Sequence, residues 1–220
     1  MRVCYCLTRN IYDRVMPSIN SLVAYNKVDR IYLLTEDDVF PHPLPSCAKV
    51  INVRDQTIFP RSGPNYNTRW TYMVLMRAAL TKYLTDEDRV LSLDIDTIFC
   101  GDVSALWDID LTGYYLAGVA EPYWTKQLGR LYVNMGVVLF NLKKLREDGN
   151  DDEIIHALNT VQYNLNEQDA INQYCAGHIL ELPGDYNVTK FTTPFDKVLI
   201  RHYAAEYGWF ESEDVNKWKN

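Results

Sequence analysis

Hydrophobic and polar residues follow two rhythms along the first 96 positions. Short apolar runs occupy Val3–Leu7, Ile31–Thr35, Lys49–Val53 and Val90–Leu93, bounded by charged or turn-forming residues. Runs of this length read as buried strands. Between them, Val15, Ile19, Leu22 and Val23 are spaced as one face of a helix over Arg14–Tyr25. Met73, Leu80 and Leu84 mark the apolar side of a second helix over Arg69–Leu84. Pro41, Pro43 and Pro45 break the chain after the second run, and Pro60, Gly63 and Pro64 make a loop of Arg54–Thr68. Strands alternating with helices predict a parallel α/β unit. Beyond residue 96 the rhythm loosens. Leu116–Ala120, Val137–Phe140, Ile179–Leu182 and Val198–His202 read as strands, and Asp151–Tyr163 and Gln168–Cys175 as helices. The last dozen residues form a charged, aromatic tail. No repeat or long linker divides the 220 residues, which are expected to form one domain.

The fourth run ends abruptly in Asp94-Ile95-Asp96-Thr97. Two carboxylates one residue apart then lie at the C-terminal end of a strand, where open α/β sheets bind ligands. Such acids can cap a turn. As a pair they repel, and a hard divalent cation such as Mg²⁺ or Mn²⁺ relieves the repulsion.

Composition narrows the partners. The hydrophobic share of 47% and charged share of 23% suit a globular protein. A net charge of −7 disfavours nucleic acid and anionic membranes. No apolar run reaches the length of a membrane span, and the N-terminal run is too short for a signal peptide. Five cysteines, an odd number without a C-x-x-C pair, read as reduced and buried thiols in a cytoplasmic protein, or in an excised catalytic domain of a longer one. Cys4 and Cys6 fall on the same face of the first strand.

Further motifs follow the acidic pair in order: Asp102-Val103-Ser104-Ala105-Leu106-Trp107, Asn134-Met135-Gly136-Val137 through Leu142, Glu167-Gln168-Asp169, Leu182-Pro183, Tyr186-Asn187, and His202-Tyr203 with Trp209 behind. This ordered set resembles family 8 of the glycosyltransferases, the glycogenin and lipopolysaccharide galactosyltransferase group, over nearly the whole chain.

The resemblance implies a single GT-A domain with a Rossmann-like mixed sheet flanked by helices. Its nucleotide-binding half would be 1–96, its donor-sugar and acceptor half 97–203, and its C-terminal tail 204–220. It implies a retaining hexosyltransferase that uses a UDP-sugar, with Mn²⁺ or Mg²⁺ held by Asp94, Asp96 and His202. A histidine after a strand is by itself more often a satisfied core or surface residue, and its place in a His-Tyr step near the C-terminus reverses that here. The chemistry agrees with a metal, because the diphosphate leaving group gains negative charge. At an effective dielectric near 20, a divalent ion ~3.5 Å from a unit charge gains roughly 9 kcal/mol before desolvation, against about 1 for a hydrogen bond.

By the same resemblance the nucleoside lies over Leu7–Tyr12. Thr8, Arg9 and Asn10 are in reach of it, Tyr12 stacks on the base, and the Ile95 backbone meets the ribose. Asn10 and Tyr12 could instead only start the helix. Arg77 would reach the donor sugar or support the acids. Arg69, eight residues earlier, would share its helix face or lie exposed. Asn134, Gln168 and Asp169 look like sugar-hydroxyl partners, with Gly136 allowing close approach of the backbone. Tyr123, Trp124 and Trp209 could stack on a glycan acceptor or fill core.

One segment departs from the family pattern. The family ending carries a glycine and then a lysine on the diphosphate. Here the glycine is Ala205, the spacing is one residue shorter and the lysine is missing. Arg201, Lys217 and Lys219 are the basic residues near that end. Two other readings remain. A non-catalytic nucleotide-sugar-binding module would explain the missing lysine. A haloacid-dehalogenase-like phosphatase shares Asp-x-Asp-x-Thr, but that fold begins with the motif, whereas three strands precede it here.

Overall fold

A computed structural model describes residues 1–219. The chain runs β1 (Arg2–Cys6), a 3-10 segment (Arg9–Val15), α1 (Met16–Tyr25), β2 (Arg30–Thr35) and β3 (Ala48–Asn52). A second 3-10 segment (Tyr72–Ala79) leads into the short α2 (Leu80–Tyr83), then β4 (Arg89–Leu93) and β5 (Thr97–Phe99). The second half holds α3 (Ser104–Trp107), β6 (Leu116–Ala120), α4 (Pro122–Leu128), β7 (Val133–Asn141), α5 (Leu142–Glu147), α6 (Asn150–Thr160), α7 (Glu167–Tyr174), β8 (Ile179–Leu182), β9 (Ile200–His202) and α8 (Glu213–Asn216).

Seven strands form one sheet in the order β3-β2-β1-β4-β7-β6-β8, and β5 pairs with β9 in a two-stranded ribbon. β1 to β4 run parallel, while β7 is antiparallel to both of its neighbours. The chain moves outward from β1 to β3, then returns to place β4 on the other side of β1. The C-terminal ends of β1 and β4 therefore flank a topological switch point, where such sheets open a crevice.

Both sheet faces are covered, which explains the continuous apolar runs. Cys4, Val90, Val138 and Phe140 point to a core beneath the second 3-10 segment and α5 to α7. Val3, Tyr5, Leu91, Leu93, Val137 and Leu139 point to the opposite core, beneath α1. The two cysteines of β1 do share a face, but burial of the thiols is uneven: Cys4 and Cys175 are buried, Cys6 and Cys47 half-buried, and Cys100 exposed.

The helix expected over Arg69–Leu84 is a different object. It starts at Tyr72, and its first eight residues are 3-10. Met73, Met76 and Ala79 are all buried, and a three-residue period stacks them in one row, which a 3-10 turn aligns and an α-turn does not. Thr71 caps it by accepting from the Met73 N–H at 3.2 Å. Arg69 lies before this element and shares no helical face with Arg77. The segment 204–219 packs down: Val215 and Tyr203 join Ile98, with Trp209, Phe210 and Trp218 around them.

β7 lies between β4 and β6 and is buried along almost its whole length. Leu139→Ala at its centre is expected to destabilise the fold by about 3 kcal/mol, measurable as a lower urea midpoint.

Candidate functional site

The acidic turn joins β4 to β5 and is tied at both ends. The Asp94 N–H donates to the Gly136 carbonyl of β7 at 2.8 Å, and the Thr97 hydroxyl donates back to the Asp94 carbonyl at 2.8 Å. A buried hydroxyl row supports Thr97 from below: its Oγ1 lies 2.8 Å from Ser18 Oγ, which lies 2.8 Å from the Tyr5 hydroxyl. The ribbon then delivers the third group. β9 pairs antiparallel with β5 with Thr97 opposite His202, and the Tyr203 N–H donates to the Asp96 carbonyl at 2.9 Å.

The result is compact. One ligand atom each from Asp94, Asp96 and His202 lie within 4.8 Å of one another. His202 Nε2 is 3.2 Å from Asp96 Oδ1 and 3.6 Å from Asp94 Oδ2. The ring is 2% exposed, and its Nδ1 lies 2.9 Å from Asn187 Oδ1. An amide oxygen only accepts, so Nδ1 carries a proton and Nε2 is the nitrogen left for a ligand. One imidazole and two carboxylates form a donor set that suits Mn²⁺ or Mg²⁺. Burial works to lower the His202 pKa, yet the Asp96 carboxylate beside it holds the imidazole above its ordinary value.

Gly136 explains how the ring fits. A Cβ there would stand 2.1 Å from His202 Cε1. The space expected to admit a sugar is filled by the histidine itself.

Arg77 supports the acids from beneath. It is 7% exposed and donates to Ser92 Oγ at 3.2 Å, to Glu167 Oε1 at 2.7 Å and to Asp94 Oδ1. Burial works to raise the Asp94 pKa, but the adjoining guanidinium holds the carboxyl below its usual range. Glu167 behaves oppositely. Burial outweighs the attraction of Arg77, and its carboxyl is pushed up to about 7.

Asp94, Asp96 and His202 lie on the floor of a cleft of about 930 Å³ at the switch point. Asp94, Ile95, Asp96, Asn134, Gln168, His202 and Arg69 line it, as do Tyr123, Trp124 and Trp209. Arg69 is exposed and stacks on Trp70, with the guanidinium carbon 3.9 Å from the ring centroid. The strand-one segment differs from expectation. Tyr12 is 4% exposed, packs on Phe40 and donates its hydroxyl to Asp37 at 3.1 Å, so its ring offers no face to a base. Thr8 donates to Asn10 at 2.6 Å, and Arg9 pairs with Asp37 at 3.0 Å. None of Thr8, Arg9, Asn10 and Tyr12 lines the cleft, whereas Cys6, Ile11 and Arg14 do.

Asp169 is also withdrawn. Its carboxylate accepts from the Tyr132 hydroxyl at 2.5 Å and from the Leu165 N–H at 2.8 Å. Tyr132 in turn accepts from Gln168 Nε2 at 3.3 Å, and Gln168 Oε1 accepts from the Met135 N–H at 3.0 Å. Asp169 therefore acts on the cleft by orienting Gln168. The basic residues near the C-terminal end face elsewhere: Lys217 pairs with Asp214, Lys219 with Glu211, and Arg201 with Glu206.

Residues 2–203 match the family described as glycosyl transferase family 8. The chain belongs to glycosyl transferase family 8. Among its relatives is the lipopolysaccharide 1,2-glucosyltransferase of Escherichia coli K12, 34% identical over 210 residues, covering 85% of this chain and 62% of that protein. A putative glycosyltransferase of Haemophilus influenzae is 30% identical over 139 residues, covering 57% of this chain and 40% of its own length. A probable glycosyl transferase of Streptococcus gordonii is matched over 29% of its length. The chain thus spans less than two thirds of these curated family 8 relatives. The fold is that of the galactosyltransferase LgtC, solved with donor and acceptor sugar analogues, at a TM-score of 0.74, 19% identity and coverage of 100% of this chain and 97% of that one. GlyE of Streptococcus pneumoniae superposes with a TM-score of 0.70 at 21% identity, over 99% of this chain and 62% of that one. The mixed sheet places this family 8 member in the GT-A class.

Two residues outside the expected site complete it. Asn187 is fully buried and donates to Asn134 Oδ1 at 2.9 Å while accepting from His202. Glu167 accepts a hydrogen bond from Arg77. Asn187 stands within the Tyr186-Asn187 motif, and Glu167 opens the Glu167-Gln168-Asp169 motif, but nothing local to either names its partner.

Partners behind a ligating imidazole tune metal affinity. Were Mn²⁺ held by Asp94, Asp96 and His202, Asn187→Leu would be expected to weaken its binding roughly 10- to 100-fold in a calorimetric titration. The pH dependence of stability has a definite sign. A carboxyl raised from its ordinary value to about 7 binds a proton more tightly folded than unfolded, so its contribution is complete at low pH and is lost as pH rises through 7. Urea unfolding at pH 5.0 and 7.5 should show Glu167→Gln gaining stability relative to the parent as pH rises.

Proposed function

We propose that this chain is a metal-dependent retaining hexosyltransferase. It takes a hexose from a nucleotide sugar, a UDP-sugar such as UDP-glucose, and transfers it to a hydroxyl of a glycan acceptor. The observation that carries the reading is the convergence of Asp94, Asp96 and the tautomer-fixed Nε2 of His202 at the floor of the cleft. The names of two relatives, a glucosyltransferase and a galactosyltransferase, support a hexose.

In this reading Asp94, Asp96 and His202 hold Mn²⁺ or Mg²⁺. A divalent cation there supplies positive charge to a diphosphate leaving group. The protein's own groups do the rest. Arg77 fixes Asp94. Asn134 spends one amide hydrogen on Glu121 at 2.6 Å and Gln168 one on Tyr132, so each retains a second for sugar hydroxyls. Asp169 keeps Gln168 in place through Tyr132. The Ile95 backbone meets the ribose, and Tyr123, Trp124 and Trp209 offer aromatic faces to the acceptor. Five free thiols fit a cytoplasmic location, and among the described residues no helix is long and apolar enough to cross a membrane.

Calorimetry with Mn²⁺ and each of UDP, GDP and dTDP, followed by release assays with their sugars, tests the donor. Asp96→Asn is expected to abolish Mn²⁺-dependent nucleotide binding while leaving the thermal midpoint nearly unchanged. Full transfer activity in that variant would refute the metal site. Tight binding without release from any nucleotide sugar would identify a binding module instead.

A further inference from the structure

The floor of the cleft is rich in negative charge. Asp94, Asp96 and Glu121 all line it, and Arg77 beneath is already shared between Asp94 and Glu167. A diphosphate brought here carries more negative charge than one divalent cation, itself held by two carboxylates, can balance. The cleft should therefore hold a further cation directed at the phosphates.

Two arginines line the cleft, Arg14 and Arg69. They border different recesses. Trp70, on which Arg69 stacks, borders the recess of Arg77, Glu167 and Gln168, the sugar end in the proposed reading. Arg14 also borders a second notch, opening beside Asp96, whose other wall is the turn of Ala205, Gly208 and Trp209. It stands at the C-terminal end of the 3-10 segment that follows β1. Among the described residues Arg14 forms no ion pair, and its guanidinium carbon is 5.8 Å from the Phe210 ring. Glu206, the one glutamate lining that notch, is taken by Arg201.

The turn opposite is held in a costly shape. Ala205 has φ of 56°, a left-handed conformation that alanine seldom adopts, and its carbonyl accepts from Lys190 Nζ at 2.7 Å. The Lys190 hydrogen bond thus supports one wall of the notch beside Asp96 in a conformation the local chain does not prefer.

We infer that Arg14 is the diphosphate-binding cation of this site, gripping phosphate oxygens from the notch that it lines together with Asp96. Its planar guanidinium can donate two parallel hydrogen bonds to a phosphate. The inference rests on the nucleotide-sugar reading. Arg201, Lys217 and Lys219, the basic residues near the C-terminal end, are all paired elsewhere.

The test is calorimetry at saturating Mn²⁺, using whichever of UDP, GDP and dTDP the parent protein binds most tightly, and its bare nucleoside. Arg14→Gln should weaken the diphosphate roughly 10- to 100-fold and the nucleoside less than about twofold. Arg14→Lys should recover part of the loss, and Lys217→Gln should leave binding within about twofold. Mn²⁺ affinity without nucleotide, and the thermal midpoint, should stay at parental values in Arg14→Gln. Equal diphosphate affinity in parent and Arg14→Gln overturns this inference and leaves the donor reading standing. Equal losses for diphosphate and nucleoside, or a loss of Mn²⁺ affinity, also overturn it, since Arg14 would then only shape the cleft. A parent protein that binds none of the three diphosphates overturns the donor reading and this inference together.

Discussion

A buried guanidinium organises this molecule. Arg77 sits at the meeting point of the second 3-10 segment, the end of β4 and the start of α7, and holds Ser92, Asp94 and Glu167 at once. An unpaired charge there would be expensive, and breaking a buried pair typically costs ~3–5 kcal/mol. The two carboxylates and one hydroxyl offset that cost only if all three elements arrive together. The same constraint acts on the cleft. One Asp94 oxygen is committed to Arg77, so the other is turned toward His202. Which lone pairs remain for a ligand is decided below the floor.

A second polar row runs across the floor. Glu121 accepts from Asn134, Asn134 accepts from Asn187, and Asn187 accepts from the His202 ring. Each member has a single acceptor role toward the next, so rotating one amide would leave a buried donor facing a donor. This row fixes the imidazole tautomer through two amides, so the Glu121 carboxylate that ends it is kept off the ring itself.

Much of this was legible along the chain, and the remainder has physical reasons for being hidden. The parallel half was readable because strands buried on both faces need continuous apolar runs. Asp94 and Asp96 were readable because two acids ending such a run have no packing purpose. Asn187 and Glu167 stood inside recognised motifs, but their partners are fifteen and ninety residues away, and local spacing carries no trace of a non-local hydrogen bond. Tyr12 was misread because an aromatic after a strand suits a base or a core equally, and Phe40 decides for the core. The expected helix over Arg69–Leu84 failed where a three-residue row of Met73, Met76 and Ala79 outcompeted the helical period. Gly136 pointed to a close approach, and the approaching group was a side chain of the protein itself.

The pairing of β5 with β9 has a temporal side. Asp94 and Asp96 leave the ribosome more than a hundred residues before His202, and the strand that carries the histidine cannot form its ribbon until that late segment emerges. Until then the acids share a turn and lack their nitrogen partner, with Gly136 facing an empty slot. The last strand of the main sheet, β8, ends at Leu182, so every apolar strand of that sheet is made before the imidazole is. A cation site on these three side chains would be complete only once β9 has paired with β5.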